Sequence, residues 1–477
     1  MIKNFELSYK FTRRIWKKLY ESNIPIVKKE DLEPAKVKSK LVEINSNLRK
    51  SQYFPDIGHG FLGVNKKQGV TRFIPILSAN DMAVYYYVCY LLSDKILEKR
   101  EGIYGGWHIV PDSQKKNSDG LSLEEIEVYL QDYFSDSISK KSWWKDWTQF
   151  VQMIAELTSK KEIGNYVLIS DIANFYDSIS IDILIRKLRK KAPDYTEHID
   201  ILEVFLAFWN RRITGYTSST KGIPQEQFSD ASRVLSHFYL QDFDAKFQEY
   251  CNNNKITYAR WADDILLFGS SKKKLEDCLH RASKLLLVEG LYLSAGKTKI
   301  MTRSEYRKFR CIAFLEAVQS SDLQKFEKAL RDNKKAFDQG EIRVDTLLKT
   351  TIGHAAKHFN SIGSYPKLFI DEAVRSNVEL SLTLNDKQFF NIIRLNPSPK
   401  DIYKILENRI LAHPYASSRA AFLMMLRNRH ADLVKLEISK TIQRNTINKI
   451  EEASKDSELL CQICIPAVKG KCSDKHK

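Results

Sequence analysis

Through most of this chain the apolar residues recur at helical spacing, so the stretches that depart from it carry the most information. The sharpest departure is Tyr258-Ala259-Arg260-Trp261-Ala262-Asp263-Asp264-Ile265-Leu266-Leu267-Phe268-Gly269, where two adjacent carboxylates interrupt an otherwise apolar, strand-like run. Neighbouring side chains of a strand point to opposite faces, so a doublet in a plain buried strand would bury at least one charge. That is costly unless a cation or a turn removes the penalty. The pattern therefore predicts a hairpin, with Tyr258 to Trp261 running up, the Asp pair at the tip, and Ile265 to Phe268 running back. Such a tip offers oxygen ligands to a hard divalent ion, although Asp also simply fills hairpin turns. A second apolar run, Val167 to Ile169, reads as a buried strand that ends at Asp171, with Phe175, Tyr176 and Asp177 close behind. A carboxylate at a strand terminus is well placed to serve a site.

The remaining pattern fills in around these two stretches. Residues 1–50 read as basic and helical, with Phe11, Ile15 and Leu19 spaced at four and basic residues between them. Gly60 to Val64 and Val70 to Ile76 predict two short strands about a cationic, glycine-containing turn, Asn65 to Gly69. Helices are predicted over Asp81 to Lys95, from the group Trp143, Trp144, Trp147 and Phe150 onward, and over Asp182 to Lys191 and Ile199 to Asn210. Lys221-Gly222-Ile223-Pro224-Gln225 is a tight turn that leads into a helix from Ser229 to Tyr250, and another helix covers Lys273 to Glu289. A final strand is expected at Arg310 to Leu315. Beyond about Ser320 the pattern is helical almost throughout.

Composition narrows the function. With 43% hydrophobic and 28% charged residues, the chain has the make-up of a soluble globular protein with more than one domain. No run is long enough to cross a bilayer, and Met1-Ile2-Lys3-Asn4-Phe5 lacks the features of a secretory signal. Seven scattered cysteines argue for a reducing, cytoplasmic setting. The formal net charge of +17 favours a polyanionic partner, nucleic acid above all. Near the end, Cys461, Cys464, Cys472 and His476 have the chemistry of a tetrahedral zinc site. Their spacing is not that of a standard finger, and Leu459, Leu460, Ile463 and Ile465 favour a core helix with incidental cysteines.

Taken in order, strand–Asp, Gly-Pro turn with helix, Asp–Asp hairpin, helix and Lys resemble a reverse-transcriptase palm. Asp171 to Ile179 looks like the first metal-binding motif of that family, Gly222 to Gln225 its second, and Arg260 to Asp264 its Tyr-x-Asp-Asp box. Leu291 to Thr298 is similar to the next motif, Phe314-Leu315 to the primer grip, and Asn65 to Pro75 to the fingertip hairpin. The resemblance covers about residues 60–318, and Phe175-Tyr176-Asp177-Ser178-Ile179 with Arg260 before the acidic box resemble the prokaryotic abortive-infection and defence-associated reverse transcriptases of the unknown groups. It implies an α+β right-hand polymerase. N-terminal helices and fingers would occupy residues 1–165, the palm 166–318, and a helical thumb and C-terminal extension 319–477.

The resemblance also implies two magnesium ions, with manganese as a substitute, held by Asp171 and Asp263 with Asp264 assisting and a carbonyl from Ser170 or Ile172. Two ions roughly 4 Å apart are what nucleotidyl transfer requires. Lys66 and Arg72 would grip the triphosphate, and Lys297 would protonate the departing pyrophosphate. Tyr176 would lie under the sugar and select deoxynucleotides, and Gln225 would lie against the templating base or incoming nucleotide. Trp261, Phe314 and Leu315 would contact primer or template. Implied partners are dNTPs, a DNA product, a structured non-coding RNA and a second copy of the chain, in antiphage defence.

Two departures from the family stand out. Trp261 replaces the usual Tyr before the acidic pair, and Glu226 stands where small residues are typical, so an acidic group would face a phosphate path. They keep open a non-templated or protein-templated polymerase that makes homopolymer or repeat DNA. A catalytically inactive RNA-binding scaffold and RNA-dependent RNA synthesis are further alternatives.

Overall fold

The computed structural model describes residues 5–9, 11–13, 15–16, 34–56, 61–67, 70–106, 143–210, 222–225, 230–320, 322–342, 344–455, 465–466 and 468–469. Cys461, Cys464, Cys472, His476 and Glu226 lie outside the described residues, so the zinc and template-path expectations have no structural counterpart here. The chain forms two compact units, residues 1–20, 29–60 and 75–306, and residues 21–28, 61–74 and 307–477.

A hairpin of β1 (Phe61–Lys67) and β2 (Val70–Pro75) supplies the second unit's sheet structure. The first unit is built on a five-stranded sheet in the order β3-β5-β6-β4-β7. Its strands are β3 (Ile103–Tyr104), β4 (Tyr166–Asp171), β5 (Thr257–Trp261), β6 (Asp264–Gly269) and β7 (Lys299–Thr302). All pairings are antiparallel except β3 with β5. Ile265, Leu266, Leu267 and Phe268 are all buried, and since consecutive strand residues face opposite sides, both faces of β6 are covered.

The first unit's helices include α1 (Pro34–Arg49), α2 (Ala79–Ile96), α3 (Trp143–Ser159), α4 (Phe175–Ser178), α5 (Ile181–Lys191), α6 (Thr196–Phe208), α7 (Asp230–Asn253) and α8 (Lys272–Val288). The tyrosines of α2 are packing residues. Tyr85 and Tyr86 are fully buried, and the Tyr85 ring stacks on Phe205 of α6. α7 lies against α2, α8 and β5, so one long helix joins the sheet to the helical layer. The α+β class expected from the sequence is the observed one.

In the second unit, α9 (Arg303–Phe309) crosses the boundary and is followed by α10 (Ile312–Gln319) and α11 (Leu323–Asp338), then by helices through Ala453. The strand expected at Arg310 to Leu315 is not there. Arg310 and Cys311 turn, and Phe314 and Leu315 sit in α10. Phe314 is fully buried with its ring 5.5 Å from that of Phe326, and Leu315 packs on the same helical core. A short apolar run reads alike as a buried strand or a buried helical turn, and here the neighbouring helices decided it. The sheet ends instead at β7. Among the described residues no helix is long and apolar enough to cross a membrane.

Candidate active site

β5 and β6 form the hairpin that the acidic doublet predicts, with Trp261 opposite Asp264 and only Ala262 and Asp263 in the turn. Asp264 is thus the first residue of the returning strand, and Asp263 alone stands in the turn. Ala262 takes a left-handed backbone at φ 52°, an uncommon conformation for a residue with a side chain. The β4–β6 register places Asp171 opposite Asp264. Just beyond, the Ile172 N–H donates to the Asp263 carbonyl at 3.2 Å. Asp171 of β4, Asp264 of β6 and Asp263 of the β5–β6 turn therefore lie at the same end of the sheet.

The segment after α8 is laced to the same end. Ile172 bridges Leu293, the Ala173 N–H donates to the Tyr292 carbonyl at 2.8 Å, and the Ser294 N–H donates to the Asp171 carbonyl at 2.7 Å. The Ser170 and Thr298 hydroxyls are hydrogen-bonded at 2.8 Å. This lacing brings Lys297 over the acids, and its Nζ donates to Asp171 Oδ2 at 2.5 Å. Lys297 is 55% exposed while Asp171 is buried, so the ammonium reaches the carboxylate from the solvent side. Asp263 is pushed up to about 7, by burial first and then by the charges of Asp264 and Asp171, with Lys297 opposing.

The residues expected on the nucleotide side fall in two places. Tyr176, half-buried in α4, offers its carbonyl to the Ile223 N–H at 3.0 Å. Gly222, at φ 74°, lies so close to the Tyr176 and Asp177 backbone that a side chain there would collide. The turn that leads to Gln225 is therefore hung from the helix that carries Tyr176. Lys66 and exposed Arg72 belong to the hairpin of the second unit. The Trp261 ring packs at 4.9 Å against Trp147 and at 5.3 Å against Phe150, both from α3. Phe314 and Leu315 lie in the core of the second unit.

The acids stand out in the sequence more than the residues that support them. Asp244 of α7 and Arg260 of β5 form a fully buried ion pair behind the turn. The available signal was Arg260 itself, a charge inside an apolar strand that demanded a buried acid.

The donor set fits a hard divalent cation, since all three carboxylates supply oxygen and repel one another in its absence. Among the described residues no three His, Cys, Asp or Glu side chains are gathered as a ready cage for one ion. The Lys297 ammonium is the cation paired with Asp171 in this structure.

Residues 121–352 match the family model described as reverse transcriptase (RNA-dependent DNA polymerase). The fingertip hairpin lies outside that match, whereas all three acids and Lys297 lie within it. A 144-residue stretch is 28% identical to the retron Ec83 reverse transcriptase of Escherichia coli, covering 29% of this chain and 44% of that protein. The match thus spans less than half of the curated relative's length. Two telomerase structures are distant likenesses. One, from Candida albicans with a TWJ fragment of telomeric RNA, has a TM-score of 0.35 and 11% identity, covering 86% of this chain and 69% of that chain. The other, apo telomerase from Candida tropicalis, has a TM-score of 0.31 and 13% identity, covering 84% and 73%.

Proposed function

We propose that this chain is an RNA-directed DNA polymerase whose chemistry takes place at the acidic end of the sheet. The observation that carries this reading is the register that sets Asp171 opposite Asp264, with Asp263 in the adjoining turn. Its support from outside the geometry is the reverse-transcriptase match over residues 121–352.

In this reading Asp171 and Asp263 hold the divalent ions and Asp264 assists. Bound there, two such ions would activate the primer hydroxyl and stabilise charge on the transferred phosphate. The chain's own work is to orient the carboxylates through the β4–β6 ladder and to bring a proton donor to the leaving pyrophosphate. Lys297 is that donor, held within reach of the acids by the hydrogen bonds from Ser294 and Ala173. Tyr176, positioned by the turn at Gly222, would close the sugar pocket and exclude a 2′-hydroxyl. Lys66 and Arg72 would bind the triphosphate.

The finer reading follows the family resemblance. A structured non-coding RNA serves as template or scaffold, the setting is the bacterial cytoplasm in antiphage defence, and the working form is a homo-oligomer. The +17 charge is consistent with an RNA partner.

The test is incorporation of labelled dNTPs on an RNA template with magnesium, by wild type and Asp263→Asn, together with sequencing of co-purifying nucleic acid. RNA-templated product from wild type alone is expected. Product whose sequence ignores the template, or equal product from Asp263→Asn, would overturn the reading.

A further inference from the structure

The turn that carries Asp263 is gripped from behind by a network that the chemistry above leaves unused. Arg260 and Asp244 are among the most deeply buried charged residues described, at 0% and 1% exposure. Arg260 Nε donates to Asp244 Oδ1 at 2.8 Å and Nη2 to Oδ2 at 2.5 Å, a two-pronged pairing that fixes the guanidinium plane. The Tyr258 hydroxyl donates to Asp244 Oδ1 at 2.7 Å. That leaves Arg260 Nη1, which donates at 2.5 Å to the carbonyl oxygen of Ala262, the residue immediately before Asp263.

The rest of the turn backbone is held as well. The Ala262 N–H donates to the Tyr104 carbonyl at 3.0 Å, and the Asp263 carbonyl receives the Ile172 N–H. Gly105, at φ 89°, lets β3 come so close that a Cβ there would stand 2.6 Å from the Ala262 nitrogen. The peptide between Ala262 and Asp263 is therefore clamped on both sides, in a conformation that Ala262 adopts only under constraint.

A buried guanidinium is an expensive way to hold a strand, because an apolar side chain of similar volume fills the same space without a desolvation penalty. What an apolar side chain cannot supply is a directed donor to the turn carbonyl. The charge of Arg260 is balanced by its own partner, so its influence on Asp263 is geometric.

We propose that Arg260 is a positioning residue, which locks the Ala262–Asp263 peptide so that the Asp263 carboxylate is aimed at the cation site, with Asp244 and Tyr258 orienting the guanidinium. This inference rests on the reading of Asp263 as a metal ligand.

The test uses the full-length protein and the double variant Arg260→Met/Asp244→Leu, which removes both charges and so orphans neither. Arg260→Lys is the second variant; it keeps the charge next to Asp244 but lacks the fork to reach Ala262 as well. Three quantities are read: Mn2+ affinity by electron paramagnetic resonance without nucleotide, melting temperature, and the magnesium and dNTP dependence of incorporation. A lost orienting contact behind a metal ligand typically weakens metal binding by roughly 10–100-fold. The expected result is that loss in Mn2+ affinity in a folded variant, a matching rise in the magnesium requirement, and an unchanged KM for dNTP. Wild-type Mn2+ affinity in either folded variant would overturn the proposal and leave Arg260 a core residue only. Asp263→Asn separates the two readings: if it binds Mn2+ as wild type does, the ligand assignment itself is wrong and the positioning role falls with it.

Discussion

Two carboxylates of the first unit, Asp81 and Asp263, are both pushed up to about 7, and burial is the main cause in each. A neighbouring Asp raises each further, but their hydrogen-bond partners differ. Asp81, in the first turn of α2, accepts hydrogen bonds from the Tyr53 hydroxyl at 2.8 Å, the Asp56 N–H at 2.9 Å and the Ser78 hydroxyl at 2.9 Å. Those donors lower its pKa, against burial and the charge of Asp56. Asp263 faces Asp264 and Asp171, with Lys297 as the opposing cation. The first acid ties a loop to a helix N-terminus. The second stands in a cluster whose repulsion a divalent ion would relieve. A raised pKa alone thus does not mark a functional acid: each has a like-charged neighbour, but Asp81 is spent on three hydrogen bonds within the fold, whereas Asp263 stands beside two further carboxylates.

Several substitutions would break or sharpen this contrast. The largest effect is expected from Asp263→Asn, which should reduce nucleotide incorporation by about 10³-fold or more, since metal stabilisation of the transition state is worth several kcal/mol. Asp81→Asn should change incorporation by no more than about 3-fold, given its distance in function from the chemistry. A comparable loss from both would erase the distinction. Next, Lys297→Met should lower kcat by roughly 10²-fold with little change in dNTP affinity, and should remove the basic limb of the pH–rate profile, as expected for a general acid. An unchanged profile would reduce Lys297 to a counter-charge for Asp171.

The two acids should also differ in stability. Asp81→Ala leaves buried donors without an acceptor and should cost about 2–3 kcal/mol in denaturant unfolding. Asp263→Asn removes a repelled charge and should stabilise the ion-free protein by about 0.5–1 kcal/mol. A destabilised Asp263→Asn would mean that the turn needs its carboxylate for folding.

The last test concerns pH. Asp81 has an ordinary value of 3.8 and a folded value of about 7, so between those values the native state holds more protons than the unfolded chain. Its contribution to stability is therefore complete below about 4 and is lost as pH rises through 7. Asp81→Asn should flatten the unfolding free energy across that interval, and a slope identical to wild type would show that Asp81 is ionised throughout.

How much of this was legible in advance varies residue by residue. The Asp263–Asp264 hairpin could be read directly, because two adjacent charges cannot both face water from a buried strand. The turn is one residue shorter than the doublet implies, since Asp264 belongs to β6 and pairs with both Trp261 and Asp171. Asp171 was legible as a strand-end carboxylate, but nothing in its local pattern states which strand it meets. The Phe314-Leu315 run reads as a strand but lies in a helix, because too few residues separate a period of two from one of 3.6. The clamp from Arg260 to Ala262 is only half legible: Arg260 stands out as a charge in an apolar strand, but its partner Asp244 lies on a different element and nothing local points to it.

Sequence alone determined the alternation of apolar runs and turns, the acidic doublet, the basic charge and the α+β class, all of which depend on the order of neighbouring residues. Only the tertiary structure decided which strands pair, in what register, and which buried charge stands behind the turn. Those outcomes depend on residues far apart in the chain competing for the same interior volume, and desolvation penalises every arrangement that leaves a buried charge without its partner.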